Sequence, residues 1–150
     1  MPQNYKILNK KEIKEILKQI EEQWGADLDL EYGFIQNNKT KISIINRDIG
    51  SIDLEKLRIN SIGMYFCELE RGIRLSIEGS QLVGPKATKN VLEVSKEDAK
   101  LWLLGEDLPS DGEFEGFVII KSEDDYFGSG KSSKGKILNY VGKERRISAL

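Results

Sequence analysis

The chain has 150 residues, a formal net charge of −2 and no histidine. The missing histidine excludes His-based acid–base catalysis, Ser–His and Cys–His nucleophile pairs and most zinc sites. No pair of carboxylates or lysines has a recognisable catalytic spacing, so the composition favours binding without a cofactor or metal over catalysis. No apolar run approaches the ~18 residues of a membrane span, and no signal-peptide pattern opens the chain. We therefore expect a cytoplasmic protein without membrane contact.

The pattern of apolar residues in the first half of the sequence predicts a helix that covers a small, mainly antiparallel sheet. Residues 9–24 carry one apolar stripe, with Asn9 and Glu12 spaced as a capping box and Gly25 placed to end the helix. The other elements predicted here are strands at 32–35, 41–45 and 62–69, a short helix at 52–57, and a strand through the alternating Ile73, Leu75 and Ile77.

Residues 84–90, GPKATKN, have the turn-rich composition of a domain boundary. We therefore expect an α+β domain over residues 1–86 and a second domain over residues 87–150. Lys86 and Lys89 place a small cationic spot at this boundary, either in a solvated linker or in an RNA path.

The second domain is predicted to open with a short strand at 91–94 and a helix at 95–104 that Ser95 caps. Ala99, Trp102 and Leu103 form the predicted buried face of this helix. An acidic loop follows, with carboxylates at Glu106, Asp107, Asp111, Glu113 and Glu115. The loop lacks the spacing of a calcium site, and because it would repel phosphate we expect it to lie away from any RNA path.

Residues 117–147 are the most informative stretch, because a buried strand at 117–120 leads into a Gly-rich basic segment. From Tyr126 onward six cations face a single acid, Glu144. These cations are Lys131, Lys134, Lys136, Lys143, Arg145 and Arg146. A basic stripe interleaved with Tyr126, Phe127 and Tyr140, on a slightly acidic protein, is typical of an RNA contact surface.

Two other interpretations of this stretch are possible. Gly130-Lys131-Ser132 matches the end of the phosphate-binding loop G-x-x-x-x-G-K-[ST], which would make the protein a nucleotide-dependent enzyme. Against this, Asp125 stands where the loop needs its first glycine, and Gly135 and Gly142 break the helix that should follow. Alternatively, the segment is a solvated hairpin whose glycines serve only its bends.

The second half also has a distinctive order of elements and motifs. It begins with a short strand, a Ser-capped helix that ends in Leu-Leu-Gly, and an acidic loop. The strand Gly116-Phe117-Val118-Ile119 and the motif Phe127-Gly128-x-Gly130-Lys131 follow. This order resembles a PUA domain, a small RNA-binding pseudo-barrel. The C-terminal module of Sun-type rRNA cytosine methyltransferases is similar at Gly128, Gly130, Lys131, Gly135, Asn139, Lys143 and Arg145, whereas Leu138 and Gly142 depart from it. Large-subunit ribosome-biogenesis factors are similar in their order of elements over the whole length.

The resemblance implies an α+β fold in which an N-terminal α/β pre-PUA domain precedes a PUA-like β pseudo-barrel. It implies a non-catalytic role in rRNA or tRNA modification or ribosome biogenesis, with structured RNA as ligand and an RNA methyltransferase or pre-ribosomal particle as candidate partner. Gly128 and Gly130 would leave a bare strand edge whose amides face phosphate, and Tyr126 or Phe127 would stack on a base. The residues expected to contact RNA are Lys86, Lys89, Tyr126, Phe127, Gly128, Gly130, Lys131, Lys134, Lys136, Lys143, Arg145 and Arg146. The alternative is a protein-interaction adaptor for an RNA-modifying enzyme, with little RNA contact of its own.

Overall fold

The structure, a computed structural model, describes residues 5–29, 32–37, 40–46 and 64–147. Within these ranges three α-helices accompany two five-stranded sheets. None of the described helices is both long enough and apolar enough to cross a membrane. The predicted α+β class is confirmed.

Helix α1 spans Lys10–Trp24, and its capping box forms as predicted. The Asn9 side-chain oxygen accepts the Glu12 amide at 2.9 Å, and the Glu12 carboxylate accepts the Asn9 amide at 3.1 Å. Gly25 ends the helix with a φ of 67°, a left-handed conformation that glycine adopts without strain. The buried side of the helix consists of Ile16, Ile20 and Trp24.

The first sheet is antiparallel and contains strands β1 to β5 in chain order. The strands are β1 Lys6–Ile7, β2 Tyr32–Gln36, β3 Lys41–Asn46, β4 Met64–Glu70 and β5 Gly72–Leu75. Phe34, Ile42 and Phe66 of this sheet share one core with α1. The predicted strands are thus confirmed, the third of them from Met64 onward, while the helix predicted at 52–57 falls outside the described residues.

The prediction that the strand continues through Ile77 is wrong, because β5 ends at Leu75 and helix α2, Ile77–Val83, begins there. The Ser76 hydroxyl accepts the Gly79 amide at 2.9 Å and caps the new helix. The same hydroxyl donates to the Tyr65 carbonyl at 2.7 Å, and the Ser76 amide donates to the Phe66 carbonyl at 3.0 Å, so the cap is tied to β4. Helix α2 packs between β4 and a strand of the second sheet, and a 3₁₀ turn, Gly84–Lys86, follows it.

The second sheet has the order β6-β8-β9-β10-β7, in which β6 and β8 are parallel and the other neighbours antiparallel. The strands are β6 Val91–Glu93, β7 Leu108–Pro109, β8 Phe117–Ser122, β9 Asp125–Ser133 and β10 Lys136–Leu138. Helix α3, Lys96–Leu103, is capped by Ser95 as predicted. The predicted buried face is confirmed for Ala99 and Trp102, whereas Leu103 is only half-buried.

Strand β8 divides the interior into two cores. Successive side chains of a strand point to opposite faces, so Phe117 and Ile119 pack in a cluster with α1 and the first sheet. Val118 and Ile120 pack on the other face, in a cluster with Trp102. The first core therefore contains residues from both predicted domains. The boundary between residues 86 and 87 stays a prediction.

Candidate nucleic-acid interface

A groove of about 440 Å³ lies at the start of β9, between the 3₁₀ turn and the β8–β9 hairpin. We call it the lysine groove. Its walls include Gly84, Lys89, Phe114, Lys121 and Tyr126, together with the acid Glu93, and Lys86 lies on the adjoining turn. The groove thus combines aromatic rings with lysines, as a site for single-stranded nucleic acid requires.

The main chain on one side of the lysine groove is fixed to the end of α1. The amides of Thr88 and Lys89 both donate to the Trp24 carbonyl, at 2.7 and 3.2 Å. The Asn90 side chain donates to the Gln23 carbonyl at 2.7 Å. The Lys89 side chain is exposed, so a firmly anchored backbone presents this cation to solvent.

Tyr126 forms the aromatic wall of the lysine groove. Its half-buried ring lies directly on Gly84, where any Cβ would overlap it, and the Lys121 ammonium is 5.7 Å from the ring centre. No described carboxylate forms an ion pair with Lys86, Lys89 or Lys121. The structure therefore brings the predicted residues Lys89 and Tyr126 together in this groove, with the predicted Lys86 on the adjoining turn. It adds Lys121, which the sequence signals only as the cross-strand partner of Tyr126.

Lys131, Lys134 and Lys136 lie together at the other end of β9, on the β9–β10 hairpin, and all three are exposed. The seven residue steps from Tyr126 to Ser133 correspond to roughly 23 Å of extended strand. Tyr126 is therefore separated from the hairpin lysines with which it was predicted to form one stripe, and it lies instead with Lys89 and Lys121.

The acidic loop lies against this hairpin, beside lysines that were predicted to contact RNA, and its expected position away from any RNA path stays a prediction. The Lys136 ammonium is 3.8 Å from the Asp107 carboxylate, and the Ser110 amide donates to the Gly135 carbonyl at 2.9 Å. The cause is β7, which lies inside the loop and pairs with β10. Because Lys136 lies beside an acid, whereas Lys89 and Lys121 have no ion pair among the described residues, the lysine groove is the better site for a polyanion.

The bare glycine edge predicted at Gly128 and Gly130 is also wrong, since both residues are buried. The Gly128 amide donates to the Ser80 hydroxyl of α2 at 2.7 Å, so it does not face phosphate. At Gly130 a Cβ would overlap the Trp102 ring. Gly130-Lys131-Ser132 lies within strand β9 rather than in a loop before a helix, which excludes the nucleotide-binding interpretation.

The other predicted contact residues do not line the lysine groove. Arg145 forms an ion pair with Glu78 of α2, and Arg146 donates from Nε to the Val141 carbonyl at 3.0 Å. Phe127 is half-buried and packs against the second core, while Lys143 is exposed.

A second cavity, of about 280 Å³, lies where α2 meets β4, β5, β9 and the segment after β10. We call it the junction cleft. Its principal side chains are Lys41, Tyr65, Glu68, Arg74, Glu78, Phe127, Tyr140 and Arg145. Sequence reasoning missed Arg74 and Glu78, because only tertiary packing brings β5 and α2 to the C-terminal segment. The one local signal was the Ser76 cap that starts α2.

Comparison with known proteins gives three findings. Residues 89–147 match the family model described as the methyltransferase RsmF PUA domain. Ribosomal RNA small subunit methyltransferase F of Aeromonas salmonicida (strain A449) is 27% identical over 136 residues, which cover 89% of this chain but only 28% of that relative. A crystal structure of a PUA domain from Aeropyrum pernix K1, determined as a tartrate complex, is similar with a TM-score of 0.51 and 12% identity. That likeness covers 87% of this chain and 73% of the other, and it concerns the fold alone.

Proposed function

We propose that this protein binds ribosomal RNA through its lysine groove, as a non-catalytic accessory to rRNA modification; the match of residues 89–147 to the family model described as the methyltransferase RsmF PUA domain supports this proposal. The relative from Aeromonas salmonicida is named for the small ribosomal subunit, so RNA of that subunit is the proposed ligand. In this proposal residues 89–147 contribute RNA binding rather than methyl transfer, because the family match concerns a PUA domain.

The observation that carries this proposal is that Lys89 and Lys121 line one groove with the Tyr126 ring, while Lys86 lies on the adjoining turn. Each lysine that contacts a phosphate releases a counterion, which makes binding stronger at low salt. A base stacked on Tyr126 would add about 1–3 kcal/mol. Charge and stacking thus occur together at one place on a protein whose net charge is slightly negative.

The proposal is tested by reversing the charge of two groove lysines. Affinity for a fluorescently labelled hairpin of small-subunit rRNA is measured at several salt concentrations, for the wild-type protein and for Lys89→Glu/Lys121→Glu. We expect the double variant to bind at least about tenfold more weakly. The slope of its logarithmic affinity against logarithmic salt concentration should be shallower by about one for each lysine that no longer neutralises a phosphate.

The matched control is Lys10→Glu/Lys14→Glu, which makes the same charge change at two exposed positions of α1. This control should bind RNA with an affinity close to that of the wild type. If both double variants lose the same affinity, the effect belongs to net charge and the lysine groove is not the RNA site. Wild-type protein that binds no rRNA hairpin at low salt would contradict RNA binding itself.

A further inference from the structure

The junction cleft is built from both halves of the chain. Strands β4 and β5 and the first turn of α2 contribute Tyr65, Arg74 and Glu78, while β9 and the following segment contribute Phe127 and Tyr140. At about 280 Å³ the cleft is slightly below the roughly 300–1,000 Å³ typical of small-molecule sites. It therefore suits one planar group rather than a larger ligand.

Two atoms in this cleft are buried without a hydrogen-bond partner among the described residues, namely Arg74 Nε and Glu78 Oε2. The rest of each group is engaged. Arg74 bonds the Tyr140 carbonyl at 3.4 Å and two glutamates, and the second oxygen of Glu78 pairs with Arg145. A buried donor and a buried acceptor left unpaired are costly. A ligand that supplies one acceptor and one donor would satisfy both atoms.

Aromatic rings complete the cleft. The Arg74 guanidinium lies 4.9 Å from the Tyr140 ring centre, and the Lys41 ammonium lies 4.3 Å from the Tyr65 ring centre. The rings offer flat surfaces to a planar ligand, and the Lys41 ammonium offers positive charge to a phosphate attached to it. An unpaired nucleobase combines such a planar body with a donor–acceptor edge.

We propose that the junction cleft binds one unpaired nucleobase of the bound RNA, and that this base is of the class with an exocyclic amino group. The proposal rests on the proposed function and extends it to base selection. The amino group of adenine, cytosine or guanine donates to Glu78 Oε2, and an acceptor atom of the same base accepts from Arg74 Nε. Uracil lacks an amino group. Its single ring N–H lies between two carbonyl oxygens, and the Glu78 carboxylate repels these oxygens, so uracil should bind less well.

The position of the cleft fits one strand of RNA that also occupies the lysine groove. Helix α2 begins at the cleft with Ile77 and Glu78 and leads into Gly84 at the groove. Its seven residues span only about 10 Å. In β9 the neighbouring residues Tyr126 and Phe127 line the groove and the cleft respectively.

The test measures base preference and its dependence on one carboxylate. Affinities for the pentaribonucleotides UUAUU, UUCUU, UUGUU and UUUUU are compared between wild type and Glu78→Gln. One hydrogen bond makes wild type favour the amino-bearing central bases by about two- to tenfold. Glu78→Gln should reduce this preference to below about twofold while binding to all-uracil RNA is retained. Glu97→Gln, an exposed charge removal on α3, serves as the matched control and should keep the wild-type preference.

A second measurement does not depend on the Glu78 variant. Titration of the wild type with AMP, CMP, GMP and UMP should shift the amide NMR signals of Phe127, Gly128 and Ser129, with UMP giving the smallest shifts. Equal affinities for all four pentanucleotides, an unchanged preference in Glu78→Gln, or no shift of these signals would each overturn base selection by the cleft. The charge-reversal experiment on the lysine groove is independent of these results, so RNA binding can stand when base selection fails.

Discussion

At the scale of single residues, Gly130 shows how the second core limits side-chain size. A Cβ at this position would overlap the Trp102 ring and the Leu138 carbonyl, and it would lie 2.8 Å from Ile137 Cγ2. Trp102 is fully buried, and its indole nitrogen donates to the Phe127 carbonyl at 2.8 Å, so the ring has little room to move. The glycine is therefore required for packing of α3 and β10 on β9.

Gly130→Ala should lower the free energy of unfolding by at least about 1–3 kcal/mol, the usual result of overpacking a core. Urea unfolding followed by circular dichroism measures this change. The control is Gly142→Ala, because Gly142 has an ordinary φ of −60° and lies outside the strands; its effect should stay within about 0.5 kcal/mol. If Gly130→Ala unfolds at the same urea concentration as the wild type, the Trp102 ring and β10 can shift to make room for the methyl group, and the glycine is not required for packing.

The two glycines of β9 also show what residue types alone can predict of the site. Lys86, Lys89 and Tyr126 are identified by type, because lysines and aromatic rings serve nucleic-acid binding wherever they are exposed. A glycine in a strand instead signals a close approach without identifying the neighbour, which can be a ligand or the protein's own core. At Gly128 and Gly130 the neighbours are α2 and Trp102, and these contacts depend on the tertiary fold.

At the scale of elements, the start of α1 is defined by local interactions. The Lys6 ammonium contacts the Glu12 carboxylate at 2.5 Å, and the Asn9 amide donates to the same side chain. The hydrogen bond from Lys6 and then the one from Asn9 hold the pKa of Glu12 below its ordinary value of 4.5. Folding therefore favours the charged carboxylate, and this stabilisation is present above the ordinary pKa and lost as the pH falls through the lower folded-state value.

Glu12→Gln should therefore destabilise the protein at about pH 7 and have a smaller effect at about pH 3, because glutamine keeps the capping bond but not the charge. Urea midpoints at the two pH values measure the difference. Glu15→Gln on the same helix, where Glu15 is exposed, is the control and should show a smaller difference between the two pH values. An effect of Glu12→Gln that is equal at both pH values would contradict an electrostatic contribution from Lys6.

The elements that were predicted correctly are those with local signals. The caps at Asn9 and Ser95, and the apolar stripe of α1, involve residues a few positions apart. Helix α2 was missed because Ile73, Leu75 and Ile77 continue the alternation of a strand into the first turn of the helix. What ends the strand is long-range: Ser76 bonds Phe66 of β4, and Ser80 bonds Gly128 of β9. Such contacts cannot be read from the local pattern.

At the scale of the whole molecule, the first core joins the two halves of the chain. Phe117 and Ile119 of β8 pack with α1 and the first sheet, and the Trp24 indole donates to the Phe117 carbonyl at 3.1 Å. Ser129 of β9 exchanges hydrogen bonds with both backbone groups of Leu75, at 2.9 and 3.2 Å. Because these contacts are buried, separating the halves would expose apolar surface and unpaired polar groups.

We therefore expect the two cores to unfold together, and the two tryptophans allow this to be measured. Trp24 belongs to the first core and Trp102 to the second, so Trp24→Phe leaves fluorescence that reports on the second core alone. Adding Ile20→Val to Trp24→Phe removes one buried methyl group from the first core, at a cost of about 0.5–1.5 kcal/mol. If the cores are coupled, the urea midpoint seen by Trp102 falls by the same amount as the midpoint seen by circular dichroism.

An unchanged Trp102 midpoint would show that the second core unfolds independently, which would make residues 87–150 a separable unit. In that case the junction cleft would be a contact between two bodies rather than part of a single folded core.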